Sequence, residues 1–238
     1  MSAVITSHPK LSVEERAKTL AAAYAEASAE EILDVAINRE FIGEIAMVSS
    51  FGAESAVLLH LLSRVAPDAP VLFLDTQKHF AQTTSYRRKL AKKLGLTNVI
   101  DLLPNEGEVS EEDPDGDLWR SDTDACCNLR KVRPLDTALS NYTAWVTGRK
   151  QFHGGQRVHL PVFEHNGTHF KVNPIVRWQK DDIDAYFEKH DLPPHPLVAQ
   201  GFPSIGCWPC THPVAPGEDV RAGRWRGAAK TECGIHSR

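Results

Sequence analysis

The sequence lacks a long apolar run. Its 238 residues contain no stretch of about 18 apolar side chains, so a membrane-spanning helix is not expected. Residues 1–18 also lack the basic start and following apolar segment of a secretory signal. We therefore expect a cytoplasmic protein without a membrane partner.

An excess of positive charge is also missing. The chain has 27 Lys and Arg residues against 31 Asp and Glu residues, a formal net charge of -4 and a pI near 6.3. Domains that bind nucleic acid are usually basic, so we expect no nucleic-acid partner. Hydrophobic residues make up 42%, which is enough to build one globular core.

Cysteine is scarce, and its number is odd. The five cysteines cannot all pair within the chain. In the cytosol, clustered cysteines are more often metal ligands or catalytic groups than disulfides.

Short apolar runs alternate with helical spacing along the chain, which is typical of a mostly parallel sheet flanked by helices. The fold class is therefore α/β. We expect one domain over residues 1–238, with an N-terminal helical segment at 1–40 and an irregular cysteine- and arginine-bearing tail at 191–238. The predicted strands are 45–50, 71–74, 98–103 and 142–147, with shorter ones at 158–163 and 169–172. The predicted helices are 12–38, 53–65, 78–94, 126–140 and 179–190.

The acidic stretch 104–124 is interpreted as an exposed loop or short helix. Pro134 must lie at the start of a helix or break it. The tail after residue 191 is rich in proline, and something other than regular hydrogen bonding must hold it in place.

Four cysteines are grouped as a metal site would require. Cys207 and Cys210 form a C-x-x-C pair in a loop rich in glycine and proline, where two thiolates can turn toward one centre. Cys126 and Cys127 are adjacent, whereas an ordinary zinc site prefers spacers of two to four residues. A four-thiolate iron–sulfur cluster accepts neighbouring cysteines at different corners. A structural zinc site, free cysteines, a vicinal disulfide and a redox C-x-x-C remain alternatives.

A loop of small residues at 49–55 follows the first predicted strand and precedes a helix. Such a turn exposes amide groups at a helix N-terminus and favours a phosphate or sulfate group. It is not a Walker loop, because the Gly-Lys signature is missing. Leu74 and Asp75 end the neighbouring strand and should line the same crevice.

Cationic residues follow the cysteine groups and the fourth strand: Arg130, Lys131, Arg149, Arg221, Arg224 and Arg226. If the cysteines meet, we expect these cations to converge on an anionic ligand. Cys233 lies five residues from the last residue, with His236 nearby. Nearby positive charge lowers a thiol pKa, so Cys233 is a candidate nucleophile.

These motifs together resemble a known family. Cys126-Cys127, Cys207-x-x-Cys210, Arg221-x-x-Arg224 and the segment Glu-Cys-Gly-Ile-His at 232–236 resemble the assimilatory adenylyl-sulfate (APS) reductases. These are similar to the phosphoadenylyl-sulfate (PAPS) reductases, and the resemblance runs from about residue 45 to 236. The implied fold is that of the adenine nucleotide alpha hydrolase-like enzymes.

The resemblance implies a role for each matching position. It implies that Cys233 is the nucleophile and that a [4Fe-4S] cluster is the cofactor. The implied activity is reduction of adenylyl sulfate to sulfite and AMP through a cysteine S-sulfonate, with thioredoxin or a similar dithiol protein as reductant. The implied cluster ligands are Cys126, Cys127, Cys207 and Cys210. The implied substrate-binding residues are Ser49, Gly52, Ala53, Glu54, Leu74, Lys131, Arg149, Arg221, Arg224 and His236.

One departure from the wider fold family limits the possible reactions. The loop reads Ser-Ser-Phe-Gly-Ala-Glu-Ser, whereas ATP-cleaving relatives favour Ser-Gly-Gly-x-Asp-Ser, which argues against an ATP-using sulfur transferase. A PAPS reductase or an enzyme that accepts both substrates is the nearest alternative, and a non-catalytic zinc-binding interaction module is a distant one. A homo-oligomer is possible.

Overall fold

A mostly parallel sheet forms the centre of the protein. The computed structural model describes residues 11–154, 157–226, 230 and 234–236. Within these ranges the strands are β1 (Ile45–Ser49), β2 (Val71–Leu74), β3 (Val99–Leu102), β4 (Ala144–Val146), β5 (Phe163–His165) and β6 (Phe170–Val172). Their order across the sheet is β3-β2-β1-β4-β6-β5, and only β5 runs antiparallel to its neighbour.

The strand order reverses between β1 and β4. The chain builds β2 and β3 on one side of β1 and then crosses to place β4 on the other side. In open α/β sheets, a crevice forms at such a reversal, outside the carboxyl ends of the two strands. The topology therefore predicts a ligand site beyond Ser49 and Val146.

Helices cover the sheet, and caps and prolines set several of their limits. Gly95 ends one helix in the left-handed conformation, at φ 67°, and Pro134 lies in the first turn of another. The helices in the described ranges are α1 (Val13–Ala23), α2 (Ala29–Val35), α3 (Ser55–Val65), α4 (Ala81–Leu94), α5 (Glu106–Glu112), α6 (Leu118–Ser121), α7 (Thr123–Cys127), α8 (Arg133–Leu139) and α9 (Lys180–Lys189). No helix in these ranges is long and apolar enough to cross a membrane.

Three sequence-based element predictions are wrong in detail. The helix predicted over 12–38 is two helices, because Ser28 and Glu31 form a capping box that starts α2 anew. The helix predicted over 126–140 is divided among α7, a π-helical turn at Asn128–Val132 and α8. The strand predicted at 158–163 contains turns instead, and β5 begins only at Phe163.

The core lies on both faces of the sheet. The larger cluster includes Ile32, Leu59 and Phe73, all with side chains at most 1% exposed. The smaller cluster contains Leu74 and Trp145. Burial at this level contributes roughly 1.5–3 kcal/mol for each large apolar side chain, so the sheet is the rigid part from which the loops project.

The tail is tied to the sheet by isolated contacts rather than by a further strand. The Trp208 amide donates to the Lys78 carbonyl at 2.8 Å, and the Trp225 amide donates to the Cys210 carbonyl at 3.0 Å. The first bond joins the tail to the loop that follows β2, and the second closes residues 210–225 on themselves within the tail. The expectation of an irregular tail is met, and short backbone bridges contribute to holding it.

Candidate active site

A cleft of about 240 Å³ lies at the predicted crevice. Its floor is formed by the ends of β1 and β4, and its far wall comes from the tail around Ile205 and Arg224. Nine residues that were predicted to bind substrate line this one cleft. They are Ser49, Gly52, Ala53, Glu54, Leu74, Lys131, Arg149, Arg221 and Arg224.

The loop between β1 and α3 is held by its own side chains. The Phe51 amide donates to Ser49 Oγ at 3.2 Å, and the Gly52 amide donates to Ser55 Oγ at 2.9 Å. Phe51 has a φ of 48°, which costs energy for a bulky residue. Its fully buried ring packs edge-on against Phe73 at 5.6 Å and holds this conformation in place. The loop therefore presents fewer amides to a ligand than its sequence alone suggests.

The Glu54 carboxylate at the start of α3 is paired inside the cleft. Its Oε2 lies 2.8 Å from Lys150 Nζ and 3.6 Å from His153 Nε2. Arg157 Nη1 lies 3.1 Å from His153 Nδ1. Since a guanidinium can only donate, Nδ1 accepts, and the neutral ring carries its proton on Nε2, toward Glu54.

Burial and pairing shift the pKa of each group in this cluster. Burial alone would raise the pKa of Glu54, but His153 and Lys150 lower it to about 2. Burial lowers the pKa of His153 and that of Lys150, and the charge of Glu54 opposes both shifts. At 2.8 Å the Glu54 carboxylate and the Lys150 amine form an ion pair, in which each group favours the charged form of the other.

Arg149 is fixed at the end of β4 by a network of side chains. It forms an ion pair with Glu164, and its Nη2 lies 3.3 Å from Asn173 Oδ1. The Thr147 hydroxyl donates to Asn173 Oδ1 at 2.6 Å and so belongs to the same network. The guanidinium is therefore held rigidly at the cleft wall with part of its charge already compensated.

The Arg224 guanidinium passes close to Gly206 where it lines the cleft. Its guanidinium carbon lies 4.4 Å from the centre of the Trp225 ring, in a cation–π contact. A Cβ on Gly206 would collide with this guanidinium, so the close approach requires glycine. Arg221 also faces the Trp225 ring, at 5.9 Å.

Leu74 ends β2 with its side chain buried against Trp145. Its carbonyl accepts a hydrogen bond from His79 Nε2 at 2.8 Å, so the ring proton is on Nε2. The imidazole also stacks on Phe73, with ring centroids 4.8 Å apart. His79 thereby fixes the strand end at the cleft and forms part of its lining.

The four predicted cluster cysteines line a second, smaller cavity beside the cleft. Cys126 and Cys127 reach it from the end of α7, whereas Cys207 and Cys210 reach it from the tail. All four are free thiols, and three of them are buried. The topology thus brings together two pairs that are about 80 residues apart in sequence.

Four cysteine thiols around one cavity form a donor set of the kind that metal centres use. Burial raises the pKa of Cys126 to about 11, and burial and the neighbouring Cys207 raise that of Cys210. A cationic centre reverses this preference by deprotonating its thiols. A single zinc ion would draw its thiolates to about 2.3 Å from one point. Within the described ranges, no group of three or more His, Cys, Asp or Glu side chains is arranged to hold a metal ion.

A buried ion pair supports the cysteine cavity. Arg130 lines that cavity and binds Asp113 Oδ2 through Nη2 at 2.7 Å and through Nε at 3.0 Å. The Arg130 and Asp113 side chains are 4% and 1% exposed. Asp113 comes from the acidic stretch 104–124, so part of that stretch is buried and structural rather than an exposed loop.

The cleft and the cysteine cavity share a wall. Lys131, Cys207 and Trp225 line both spaces. Among the described residues, these three side chains therefore separate the cleft from the space between the thiols.

Cys233 and the side chain of His236 lie outside the described residues. Their neighbour Ile235 lines the cleft and packs on the apolar cluster that contains Leu74. A Cβ on Gly234 would come within 3.2 Å of Val132 Cγ2. The segment Gly234–His236 is thus seated at the cleft.

Sequence reasoning missed four basic residues of the cleft, and two cations that it expected to converge there, Arg130 and Arg226, do not line it. The missed residues are His79, Lys150, His153 and Arg157. Lys150 directly follows Arg149 at the end of β4, a position that could have identified it. Arg226 does not join the cleft, because it is exposed and pairs with Glu218.

Comparisons with known proteins show the family of the chain. The model of the phosphoadenosine phosphosulfate reductase domain matches residues 44–213. A protein of Chelativorans sp. (strain BNC1) named adenosine 5′-phosphosulfate reductase is 50% identical over 234 residues, covering 98% of this chain and 96% of that protein. A protein of the same name from Bacillus thuringiensis (strain Al Hakam) is 40% identical over 201 residues, covering 83% of this chain and 86% of that protein.

Solved structures match the fold as well. A phosphoadenylyl-sulfate reductase from Candida auris, in a phosphate complex, has a TM-score of 0.70 and 28% identity, and the match covers 87% of this chain and 100% of that chain. A Candida glabrata FMN adenylyltransferase has a TM-score of 0.55 at 15% identity, covering 84% of this chain and 74% of that chain, which shows a shared fold alone. Because the family model and relatives of 40–50% identity span most of its length, the chain belongs to the phosphoadenosine phosphosulfate reductase family.

Proposed function

We propose that the protein is an oxidoreductase that reduces adenylyl sulfate to sulfite and AMP in sulfate assimilation. The observation that carries the proposal is the basic cleft that shares a wall with a cavity lined by four cysteines. Support comes from relatives named adenosine 5′-phosphosulfate reductase at 49–50% identity.

The first step is attack by the Cys233 thiolate on the sulfur of adenylyl sulfate. A sulfur–sulfur bond forms, the bond between sulfur and the bridging oxygen breaks, and AMP leaves with the electron pair. The product on the protein is a cysteine S-sulfonate. This covalent route divides a difficult reduction into two steps.

The cations of the cleft stabilise this step. Negative charge moves onto the phosphate of the leaving AMP, and fixed positive charge in a partly buried site lowers the energy of that change. Lys131, Arg221 and Arg224 are the proposed groups, because they line the cleft on the side of the tail. Arg149 and Leu74, on the opposite wall, are proposed to position the nucleotide.

The second step requires an external dithiol, for which we propose thioredoxin or a similar protein. One thiolate of the dithiol attacks Cys233 and releases sulfite, and the second thiol resolves the mixed disulfide. The dithiol is oxidised to a disulfide, sulfite leaves, and Cys233 returns as a thiolate.

We propose that Cys126, Cys127, Cys207 and Cys210 hold a [4Fe-4S] cluster, for which four thiolates are the usual ligands. When bound, the cluster would supply local charge and bind the tail to the end of α7. Lys131 lies between that centre and the cleft and would keep its ammonium directed at both. No change in the redox state of the cluster is needed for the two steps above.

The decisive experiment on the mechanism uses a Cys233→Ser variant. We expect turnover to vanish, while binding of adenylyl sulfate and the metal content stay unchanged, since the hydroxyl is a poor nucleophile at neutral pH. Mass spectrometry of the wild-type chain with substrate and no reductant should detect one added sulfonate. Retained turnover in the variant would exclude Cys233 as the nucleophile.

Metal analysis tests the proposed cofactor. Protein purified without oxygen should contain about four irons and four sulfides per chain and absorb visible light. A colourless protein with one zinc would instead assign the cysteines a structural role.

A PAPS reductase is the second candidate, favoured by the similarity to the Candida auris enzyme. Comparing kcat/KM for the substrate with and without its 3′-phosphate decides between them. We expect the substrate without that phosphate to react faster.

A further inference from the structure

Basic side chains greatly outnumber acidic ones in the lining of the cleft. Six Lys and Arg side chains face it: Lys131, Arg149, Lys150, Arg157, Arg221 and Arg224. Among the lining residues that the structure describes, the only acidic one is Glu54. A carboxylate in an anion-binding cleft repels the ligand that the cations attract, so its presence there needs a reason.

Glu54 forms an ion pair with Lys150, which makes the charge of that lysine less available to a ligand. Its Oε2 lies 2.8 Å from Lys150 Nζ, and the same ammonium donates to the Gly148 carbonyl at 3.1 Å. The Lys150 side chain is 5% exposed and that of Glu54 is 20% exposed. The pair therefore forms a wall of the cleft with almost no net charge.

The neighbouring residues stabilise the carboxylate in this position. His153 directs its Nε2 proton toward Glu54, because its other nitrogen accepts from Arg157. The backbone of α3 begins at Glu54, and the positive end of that helix favours a negative charge there. The Glu54 side chain makes no capping hydrogen bond to α3, so the carboxylate near this helix end is held by Lys150 and His153.

We propose that Glu54 is a specificity-determining residue whose carboxylate neutralises Lys150 and thereby disfavours phosphate ligands with three or more negative charges, such as inorganic pyrophosphate and nucleoside triphosphates. The repulsion between a fixed carboxylate and a ligand grows with the charge of the ligand. Adenylyl sulfate carries two negative charges and is affected least. The inference rests on the proposed function for the identity of the favoured substrate.

Removing the carboxylate should reverse the preference. In Glu54→Gln the shape is kept and the counter-ion is lost, so that the buried Lys150 favours its charged form only with a bound anion, and a polyphosphate can become that partner. We expect the Kd for inorganic pyrophosphate, measured by calorimetry near neutral pH, to fall about tenfold, which corresponds to about 1.4 kcal/mol. The Kd for inorganic sulfate, a doubly charged probe, should fall less.

Matched variants distinguish the effect of the Glu54 charge from the effect of the space that its side chain fills. Glu54→Asp keeps the charge and should bind pyrophosphate as the wild type does. The double variant Glu54→Gln/Lys150→Gln restores a neutral pair and should return the Kd to the wild-type value. Lys150→Gln alone leaves an uncompensated carboxylate and should weaken pyrophosphate binding more than sulfate binding, which tests the idea even if Glu54→Gln does not fold.

Two results would overturn the proposal. One is an unchanged or weaker pyrophosphate affinity in a folded Glu54→Gln variant. The other is tight binding that persists in the double variant, which would mean that space rather than charge excludes the polyphosphate. Because each readout is binding, these results are independent of whether the chain reduces adenylyl sulfate.

Discussion

A methyl group on Gly206 should disable the cleft by displacing Arg224. In Gly206→Ala the new Cβ would collide with the guanidinium, which must then leave its place over Trp225. A hydrogen bond to a charged group contributes about 1.5–3 kcal/mol. Loss of one such contact to the substrate therefore predicts a decrease in kcat/KM of about tenfold to a hundredfold.

The assay is steady-state reduction of adenylyl sulfate with a dithiol reductant. Gly148→Ala is a suitable control, since its Cβ would make an ordinary contact at 3.7 Å with Leu58 in the same cleft. If the effect acts through Arg224, then Arg224→Ala and the double variant with Gly206→Ala should have nearly equal activity. Wild-type kcat/KM in Gly206→Ala, or additive losses in the double variant, would refute the reasoning.

Further predictions concern the supports of the two cavities. Asp113→Asn leaves the buried Arg130 charge without its partner and should lower the free energy of unfolding by about 3–5 kcal/mol, measured by urea denaturation. Burial raises the pKa of Asp113, but the Leu118 amide and Arg130 outweigh this and hold it below its ordinary value of 3.8. The stabilisation is therefore complete above that value and lost as the pH falls through the depressed folded pKa, so the difference between wild type and variant should shrink in acid. Ile235→Ala removes an apolar contact two residues after Cys233 in the sequence, and we expect a thiol reagent to modify Cys233 faster while single-turnover sulfonation slows. Unchanged modification rates would contradict an anchoring role for Ile235.

The sheet was largely predictable because its central strands are buried on both faces. Residues 71–74 are a continuous apolar run, and the strand has those limits. The first strand was predicted one residue too long, at 45–50, and ends at Ser49. The crevice followed from the alternation of strands and helices, since parallel strands present their carboxyl ends at one edge.

Helix capping and local turns account for the wrongly predicted limits of helices and strands. Apolar spacing continues from residue 12 to 38, so periodicity alone could not reveal the break that the Ser28 cap imposes. Residues 158–163 have the composition of a strand, but 158–162 lie in turns and irregular backbone, and only Phe163 belongs to β5. Whether such a short segment forms a strand depends on the strand with which it could pair, and that partner can be distant in sequence.

Site residues could be predicted where the residue type itself indicates a chemical role. They could not be predicted where the role depends on contacts between residues that are distant in sequence. The cysteine groups and the loop cations were recognisable from motifs. The roles of Lys150 and His153 depend on their distance from Glu54, which lies about a hundred residues earlier. Glu54 itself was expected to contact substrate, whereas its closest partner is Lys150.

The way the tail is tied to the sheet has a consequence for how the protein folds. Thr76 Oγ1 and Cys207 Sγ, 3.2 Å apart, are separated by 131 positions in the chain. Contacts over such separations pay a large loop-closure entropy and tend to form late. We expect the β1–β2–β4 platform to be protected in pulse-labelled amide exchange before the Trp225 amide is. A chain truncated after α9 should then keep its central sheet and lose both cavities, which makes substrate binding a sensitive measure of complete folding.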